Sequence, residues 1–229
     1  TDPFCPNCAK NMAEAGIKTI YIDHKGFDKD FAARRGDHFT SMSMRICEKA
    51  GMNVYRIHRK KEKLVPILEI PDTFIPTEDS PVDITPSQPG DYDALVKDAL
   101  KQHRNRRFAL CIAQNLVGEH FAIIARTHPA VGYSLMKNRD EIESEDSKYS
   151  FILEPLNRLL MNASRHGLSI IDGTVYSSQV PSSRELVNYI GAGLNKITIH
   201  NVQSSRDSHG IKALAQLQDA GILTVLSEI

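Results

Sequence analysis

Two segments that lie far apart in the chain share one pattern of residues. In the first, Ala15-Gly16-Ile17 leads into KTIYI, and in the second, Ala192-Gly193-Leu194 leads into NKITI. Further on, EKAGMNVYRI begins at Glu48 and QDAGILTVLSE begins at Gln218. Glycine after a periodic apolar run ends a helix, and alternating β-branched residues form a strand. The repetition therefore predicts an α/β chain built from two related domains.

The segment between the two copies predicts where the domains divide. Residues 71–91 contain five prolines and little periodicity. Because proline removes a backbone donor and fixes φ, this segment is predicted to be an extended linker. Residues 1–70 are then the latter half of a first domain, and 92–229 are the second domain. Residues 92–177 have no counterpart before the first copy, so we expect the native chain to continue upstream by about that length.

Composition and charge exclude several classes of function. Lys and Arg balance Asp and Glu at 28 each, so nothing favours binding to a nucleic-acid polymer. The basic clusters at 58–63 and 103–107 lack interleaved aromatic residues and are interpreted as solvated surfaces. No run approaches the about 20 apolar residues that span a bilayer. The four cysteines do not form a disulfide framework, which favours a reducing, cytoplasmic compartment.

The chain begins with two cysteines at a reactive spacing. Cys5 and Cys8 stand at the start of a predicted helix in TDPFCPNCAKNMAEAG, and the strand KTIYID follows. Two thiolates in one helical turn suit two corners of a tetrahedral zinc site, and the helix N-terminus favours their charge. The same spacing is typical of a redox pair, for which Val65-Pro66-Ile67 is a candidate cis-proline segment. Cys47 and Cys111 are predicted to be buried structural thiols.

Cys5-Pro6-Asn7-Cys8, followed by AKNMAEAGIKTIYID, resembles the second zinc motif of the cytidine and deoxycytidylate deaminase superfamily. In that family a helix carries His-x-Glu, and Pro-Cys-x-x-Cys starts the next helix about 25–30 residues later. This chain departs from the pattern because Phe4 precedes Cys5 where the family usually has proline. The resemblance implies that Cys5 and Cys8 bind Zn²⁺, and that the histidine and glutamate lie upstream of Thr1.

The second copy resembles a degenerate form of the same domain. SFILEPLNRLLMNASRHG corresponds to the His-x-Glu helix, with Ile152 at the ligand position and Glu154 at the acid–base position. A surface or helix-terminal glutamate is the simpler interpretation of Glu154. Ser182 and Glu185 stand where the family has its two cysteines. Because these residues cannot replace an imidazole and two thiolates, the second domain is expected to be zinc-free and inactive.

The resemblance also implies a fold and an activity. The fold is a cytidine-deaminase-like α/β/α sandwich with a mixed five-stranded sheet, in two copies. The activity is zinc-dependent hydrolytic deamination of a cytosine-type nucleoside or nucleotide, deoxycytidylate-like, with the second domain as a non-catalytic partner. Deaminases of this superfamily commonly complete their sites at subunit interfaces, which makes a homo-oligomer an expectation here.

Some interpretations of the sequence remain open. His24 and His38 are candidates to contact a ribose or phosphate, although exposed loop histidines are the simpler interpretation. One alternative function is a non-catalytic deaminase-fold scaffold with structural zinc. Another is a thioredoxin-like thiol–disulfide oxidoreductase that uses Cys5 and Cys8.

Overall fold

The computed structural model describes residues 4–23, 37–77, 79–143 and 150–227. This part of the chain is a mixed α/β structure with mixed sheets, which confirms the predicted class. The chain divides into two compact units. Unit 1 combines Thr1–Asp79 with Pro129–Leu153, and unit 2 combines Ser80–His128 with Glu154–Ile229. None of the helices described is long and apolar enough to cross a membrane.

The described secondary structure follows the predicted alternation of helices and strands. The helices are α1 (Pro6–Glu14), α2 (Asp37–Lys49), α3 (Tyr92–Gln102), α4 (Arg139–Glu143), α5 (Pro155–Arg165), α6 (Ser183–Gly191) and α7 (Ser208–Asp219). The strands are β1 (Thr19–Asp23), β2 (Asn53–His58), β3 (Lys63–Leu68), β4 (Val82–Pro86), β5 (Phe108–Gln114), β6 (His120–Arg126), β7 (His128–Pro129), β8 (Ile152–Leu153), β9 (Ser169–Ile170), β10 (Tyr176–Val180), β11 (Lys196–Ser205) and β12 (Thr224–Leu226). Single 3₁₀ turns occupy Arg59–Lys61 and Pro89–Asp91.

Each unit has its own mixed sheet. In unit 1 the strand order is β1-β2-β3, with β1 parallel to β2 and β2 antiparallel to β3. In unit 2 the order is β12-β11-β10-β5-β6-β4, and β9 also pairs with β5. Here β10, β11 and β12 run parallel, whereas β5, β6 and β4 form antiparallel pairs.

Helix α1 begins and ends at signals that are visible in the sequence. Cys5 is its N-cap and Pro6 its first residue, where the missing N–H of proline costs nothing. At the other end Gly16 adopts φ +78° and Ile17 N donates to Met12 O at 3.0 Å. This left-handed glycine closes the helix and turns the chain into β1.

Residues Pro129–Leu153, which we call the strap, complete the core of unit 1. Four of their apolar side chains are at most 6% exposed and pack with α1, α2, β1 and β2: Ala130, Tyr133, Ile142 and Phe151. The rings of Tyr133 and Phe151 lie 4.5 Å apart, and the Arg45 guanidinium lies 5.0 Å from the Phe151 ring centre. The predicted domain of residues 92–229 is therefore divided, because these apolar side chains are buried in unit 1.

The core of unit 2 surrounds strand β5. Ala109, Cys111 and Ala113 face a large apolar cluster with α5 and α6, while Phe108 and Leu110 face α3 on the other side. Because both faces are covered, six consecutive residues of β5 are buried. Cys111, and Cys47 in unit 1, are fully buried as predicted.

The proline-rich segment is more structured than predicted. Within residues 71–91, strand β4 pairs with β6 along its whole length. It lies at the edge of the sheet, where a strand tolerates proline because one side needs no hydrogen bonds. Among the described residues, β4 and β9 bring the sheet of unit 2 to seven strands, where five were predicted, and the sheet of unit 1 has three.

Two smaller expectations also differ from the structure. The helix that corresponds to the predicted His-x-Glu helix begins at Pro155, so Ile152 lies in the short strand β8. No peptide bond in the described ranges is cis, and the bond that joins Val65 to Pro66 is therefore trans.

Candidate functional site

The two cysteines of α1 lie side by side at the start of the helix. Cys5 Sγ accepts a hydrogen bond from Cys8 N at 3.3 Å, as an N-cap side chain does. The two Sγ atoms are 3.0 Å apart. Cys5 is half-buried and Cys8 is exposed, so the pair can be reached from solvent.

The donor pair fits zinc, but it is incomplete as a zinc site. Two zinc–sulfur bonds of about 2.3 Å at a tetrahedral angle place the sulfur atoms about 3.8 Å apart, so the thiols need to separate by about 0.8 Å. Hydrogen bonding to Cys5, followed by burial, raises the pKa of the Cys8 thiol, and a bound cation opposes that shift. Among the described residues, no group of three or more His, Cys, Asp or Glu is arranged to hold a metal. This part of the chain therefore provides two thiolate ligands.

In unit 2 the structure brings Glu154, Ser182 and Glu185 together. Glu154 is the N-cap of α5 and Ser182 is the N-cap of α6. Glu185 Oε1 accepts from Leu156 N at 3.0 Å, and its Oε2 accepts from Ser182 N and Ser182 Oγ at 2.8 Å each. One buried carboxyl group therefore links the first turns of two helices, whose orphan N–H groups it satisfies.

Glu154 is helix-terminal, as one form of the simpler interpretation expects, but it does not lie on the surface. It is 5% exposed and forms ion pairs with two guanidinium groups. A nitrogen of Arg206 lies 2.6 Å from Oε1, and a nitrogen of Arg107 lies 2.9 Å from Oε2. Thr127 Oγ1 also lies 3.5 Å from Oε2. Because a buried carboxylate requires such partners, the two arginines offset its desolvation. With both oxygen atoms occupied, Glu154 is poorly placed to move protons.

Burial and the neighbouring charge act on Glu185. Burial, followed by the charge of Glu154, raises the pKa of Glu185 from 4.5 to about 7, although the hydrogen bonds from Ser182 and Leu156 oppose that shift. Glu185 is 3% exposed. The carboxyl group of Glu185 therefore exchanges between its neutral and its ionised form near physiological pH.

The remaining candidate residues are not part of this cluster. Ile152 belongs to unit 1, where its carbonyl accepts a hydrogen bond from Lys10 Nζ at 2.7 Å. Lys10 also donates to Ser150 O at 2.7 Å, and so joins α1 to the strap. His24 and the side chain of His38 lie outside the described parts of the chain.

Sequence reasoning missed the arginines and the lysine of these sites. Arg107 belongs to the 103–107 cluster that is predicted to be a solvated surface, yet it binds a buried glutamate. Lys10 is 3% exposed although it stands on an otherwise ordinary helix. Their roles depend on partners that are far away in the sequence, so local spacing gives no signal for them.

No protein-family model matches the sequence, and none of the curated proteins searched matches it.

Proposed function

We propose that this protein is a zinc-dependent hydrolase that deaminates a cytosine-type nucleoside or nucleotide, with the metal bound by Cys5 and Cys8 and with a non-catalytic unit 2. The observation that carries the proposal is the matching construction of α1 and α6. In each helix the N-cap side chain accepts from the backbone N of the third helical residue. These bonds join Cys8 N to Cys5 Sγ at 3.3 Å and Glu185 N to Ser182 Oγ at 3.4 Å.

The surroundings of the two helices support the same proposal. Helix α1 is followed by β1, α2 and β2, and α6 is followed by β11, α7 and β12. In both series the two strands are parallel neighbours. In unit 2, α5 and α6 begin beside each other, as the resemblance implies for the His-x-Glu and Pro-Cys-x-x-Cys helices. The cysteines therefore correspond to Ser182 and Glu185 in position as well as in sequence.

Each unit has a distinct role in this proposal. Zinc, when bound, would supply a water of lowered pKa as the nucleophile for deamination. Cys5 and Cys8 would hold the metal, whose charge together with the N-terminus of α1 would favour their thiolate form. A third ligand and a proton-transferring glutamate are needed in addition to the residues that the structure describes. Unit 2 does not perform the reaction, because Glu154 is held by Arg107 and Arg206 and its neighbour Glu185 accepts backbone hydrogen bonds.

Elemental analysis of the full chain, purified without a metal-affinity tag, tests the metal site. We expect one zinc per chain, lost in Cys5→Ser and in Cys8→Ser but retained in the matched controls Cys47→Ala and Cys111→Ala. Release of ammonia from cytidine, deoxycytidine and their monophosphates by the native protein then tests the activity. A chain without zinc, in which both thiols of α1 react freely with iodoacetamide, contradicts the proposal.

A thiol–disulfide oxidoreductase is the second candidate. The 3.0 Å separation of the sulfur atoms and the exposure of Cys8 favour it, whereas the trans bond before Pro66 removes the cis-proline segment that this interpretation invoked. Incubation with oxidised glutathione separates the candidates. A redox pair forms a disulfide with release of two reduced glutathiones, whereas zinc-bound thiolates react only after a chelator is added. Zinc without ammonia release indicates a scaffold with a structural metal.

A further inference from the structure

The carboxyl group of Glu185 links the N-termini of α5 and α6. Leu156 N lies at the start of α5, and Ser182 N and Oγ lie at the start of α6, all within 3.0 Å of its two oxygen atoms. Helix α7 also approaches this point closely, because a Cβ added to Gly210 would lie 3.3 Å from Ser182 Cα. The link therefore lies where three helices of unit 2 begin.

These contacts suit a neutral carboxyl group as well as a carboxylate. The hydroxyl of Ser182 is both a donor and an acceptor, so it accepts from Oε2–H when Glu185 carries a proton. Leu156 N continues to donate to Oε1. Glu185 is therefore able to bind a proton without losing its contacts with either helix.

Of the charged groups near Glu185, Glu154 favours its protonated form. Glu154, the N-cap of α5, is the charged group that acts directly on it. The two guanidiniums of Arg107 and Arg206 bind the oxygen atoms of Glu154. Arg158 of α5 donates a hydrogen bond to His128 O at 2.9 Å. The close contact from α7 is made by Gly210, which brings no charge.

We propose that Glu185 is a proton-dependent link between α5 and α6, so that unit 2 is more stable at pH 5.5 than at pH 8. The direction follows from burial and the charge of Glu154, which raise the pKa of Glu185 to about 7 in the folded chain. The stabilisation is complete below the unfolded pKa near 4.5 and is lost as the pH rises through the folded pKa. The proposal rests on contacts inside unit 2 and holds whatever reaction unit 1 performs.

Equilibrium unfolding of the full chain tests the link. At each pH between 5.5 and 8, a urea series is given a short pulse of thiol reagent, and labelling of Cys111 is quantified. Cys111 is fully buried in β5 and reports on unit 2. The titration of Glu185 alone makes the unfolding constant about 30-fold larger at pH 8 than at pH 5.5. Histidines titrate in the same range, so the measured quantity is the difference between wild type and Glu185→Gln.

Two further variants separate the link from a general loss of stability. Ser182→Ala removes a donor to the ionised form, so the midpoint of the pH effect moves to higher pH. Glu154→Gln removes the opposing charge, so the midpoint moves to lower pH. Parallel pH curves for wild type and Glu185→Gln overturn the proposal. A carbon-13 titration in which the folded Glu185 carboxyl ionises near 4.5 also overturns it.

Discussion

Replacing Gly132 with alanine is expected to detach the strap from α2. A Cβ at this position would lie 2.0 Å from Lys49 O, where real Cβ contacts are essentially never shorter than 3.0 Å, so the two backbones must separate by about 1 Å. The φ of +90° adds about 1–2 kcal/mol for a residue with a side chain. Partial exposure of Tyr133 and Phe151 then loses burial worth about 2 kcal/mol each. We expect a total destabilisation of at least about 3 kcal/mol.

Two other glycines are controls for the conformational part of this cost. Gly118 has a similar φ of +84° with nothing within 4 Å, so Gly118→Ala is expected to cost only about 1 kcal/mol. Gly51 is intermediate, because its nearest neighbours at 3.2 Å and 3.3 Å are side-chain atoms of Phe74 and Pro76, which are able to move. Urea unfolding measures the cost, and hydrogen exchange of peptides from 129–143 locates it. Equal costs and equal exchange for Gly132→Ala and Gly118→Ala would refute the close approach of the strap to α2.

Three further perturbations test other parts of the structure. Arg206→Ala leaves buried Glu154 with one fewer cation and is expected to cost about 3 kcal/mol in urea unfolding of unit 2; a loss below about 1 kcal/mol would contradict the burial of this pair. Burial raises the pKa of Cys47 to about 12, so iodoacetamide at pH 8 is expected to spare it in the folded chain and to label it after unfolding in urea, and rapid labelling of the folded chain would disprove its burial. Gly210→Ala places a Cβ 2.6 Å from a backbone carbonyl oxygen and is expected to destabilise unit 2 by more than about 2 kcal/mol. Gly191→Ala meets nothing within 4 Å and is expected to stabilise unit 2 by as much as about 1 kcal/mol. Similar effects of the two variants on urea unfolding would refute the close packing of α7.

Local patterns in the sequence predict most helices and strands of the chain. Glycines 16, 51, 193 and 221 each take positive φ just after a helix, which is why the glycine positions predict those helix ends. Strand β4 escaped prediction because five prolines dominate the composition of residues 71–91. The alternation of Val82 and Ile84 is its only local signal, and these two side chains pack against the core of unit 2.

Long-range packing is what the sequence patterns could not predict. The strap contains no strong helix or strand signal, and its burial in unit 1 depends on surfaces about 80 residues or more away in the chain. At the candidate sites, the resemblance to deaminases implies that Glu154, Ser182 and Glu185 lie together at the starts of two neighbouring helices. Glu154, Arg107 and Arg206 come from three separate parts of the chain, so residue spacing in the sequence does not predict that they form ion pairs.

The strap also affects the order in which this protein acquires its structure during translation. Helices α1 and α2 leave the ribosome before the Tyr133 and Phe151 side chains that cover them, which follow only after β4, α3, β5 and β6 have been synthesised. At about 5–20 residues per second, the delay between Lys49 and Leu153 is roughly 5–20 s. During that interval the nascent chain exposes apolar surface on both helices while strands of unit 2 are already available to pair. Unit 1 therefore cannot finish folding until Leu153 has been synthesised, and its apolar surface is open to chaperones for the whole of that delay.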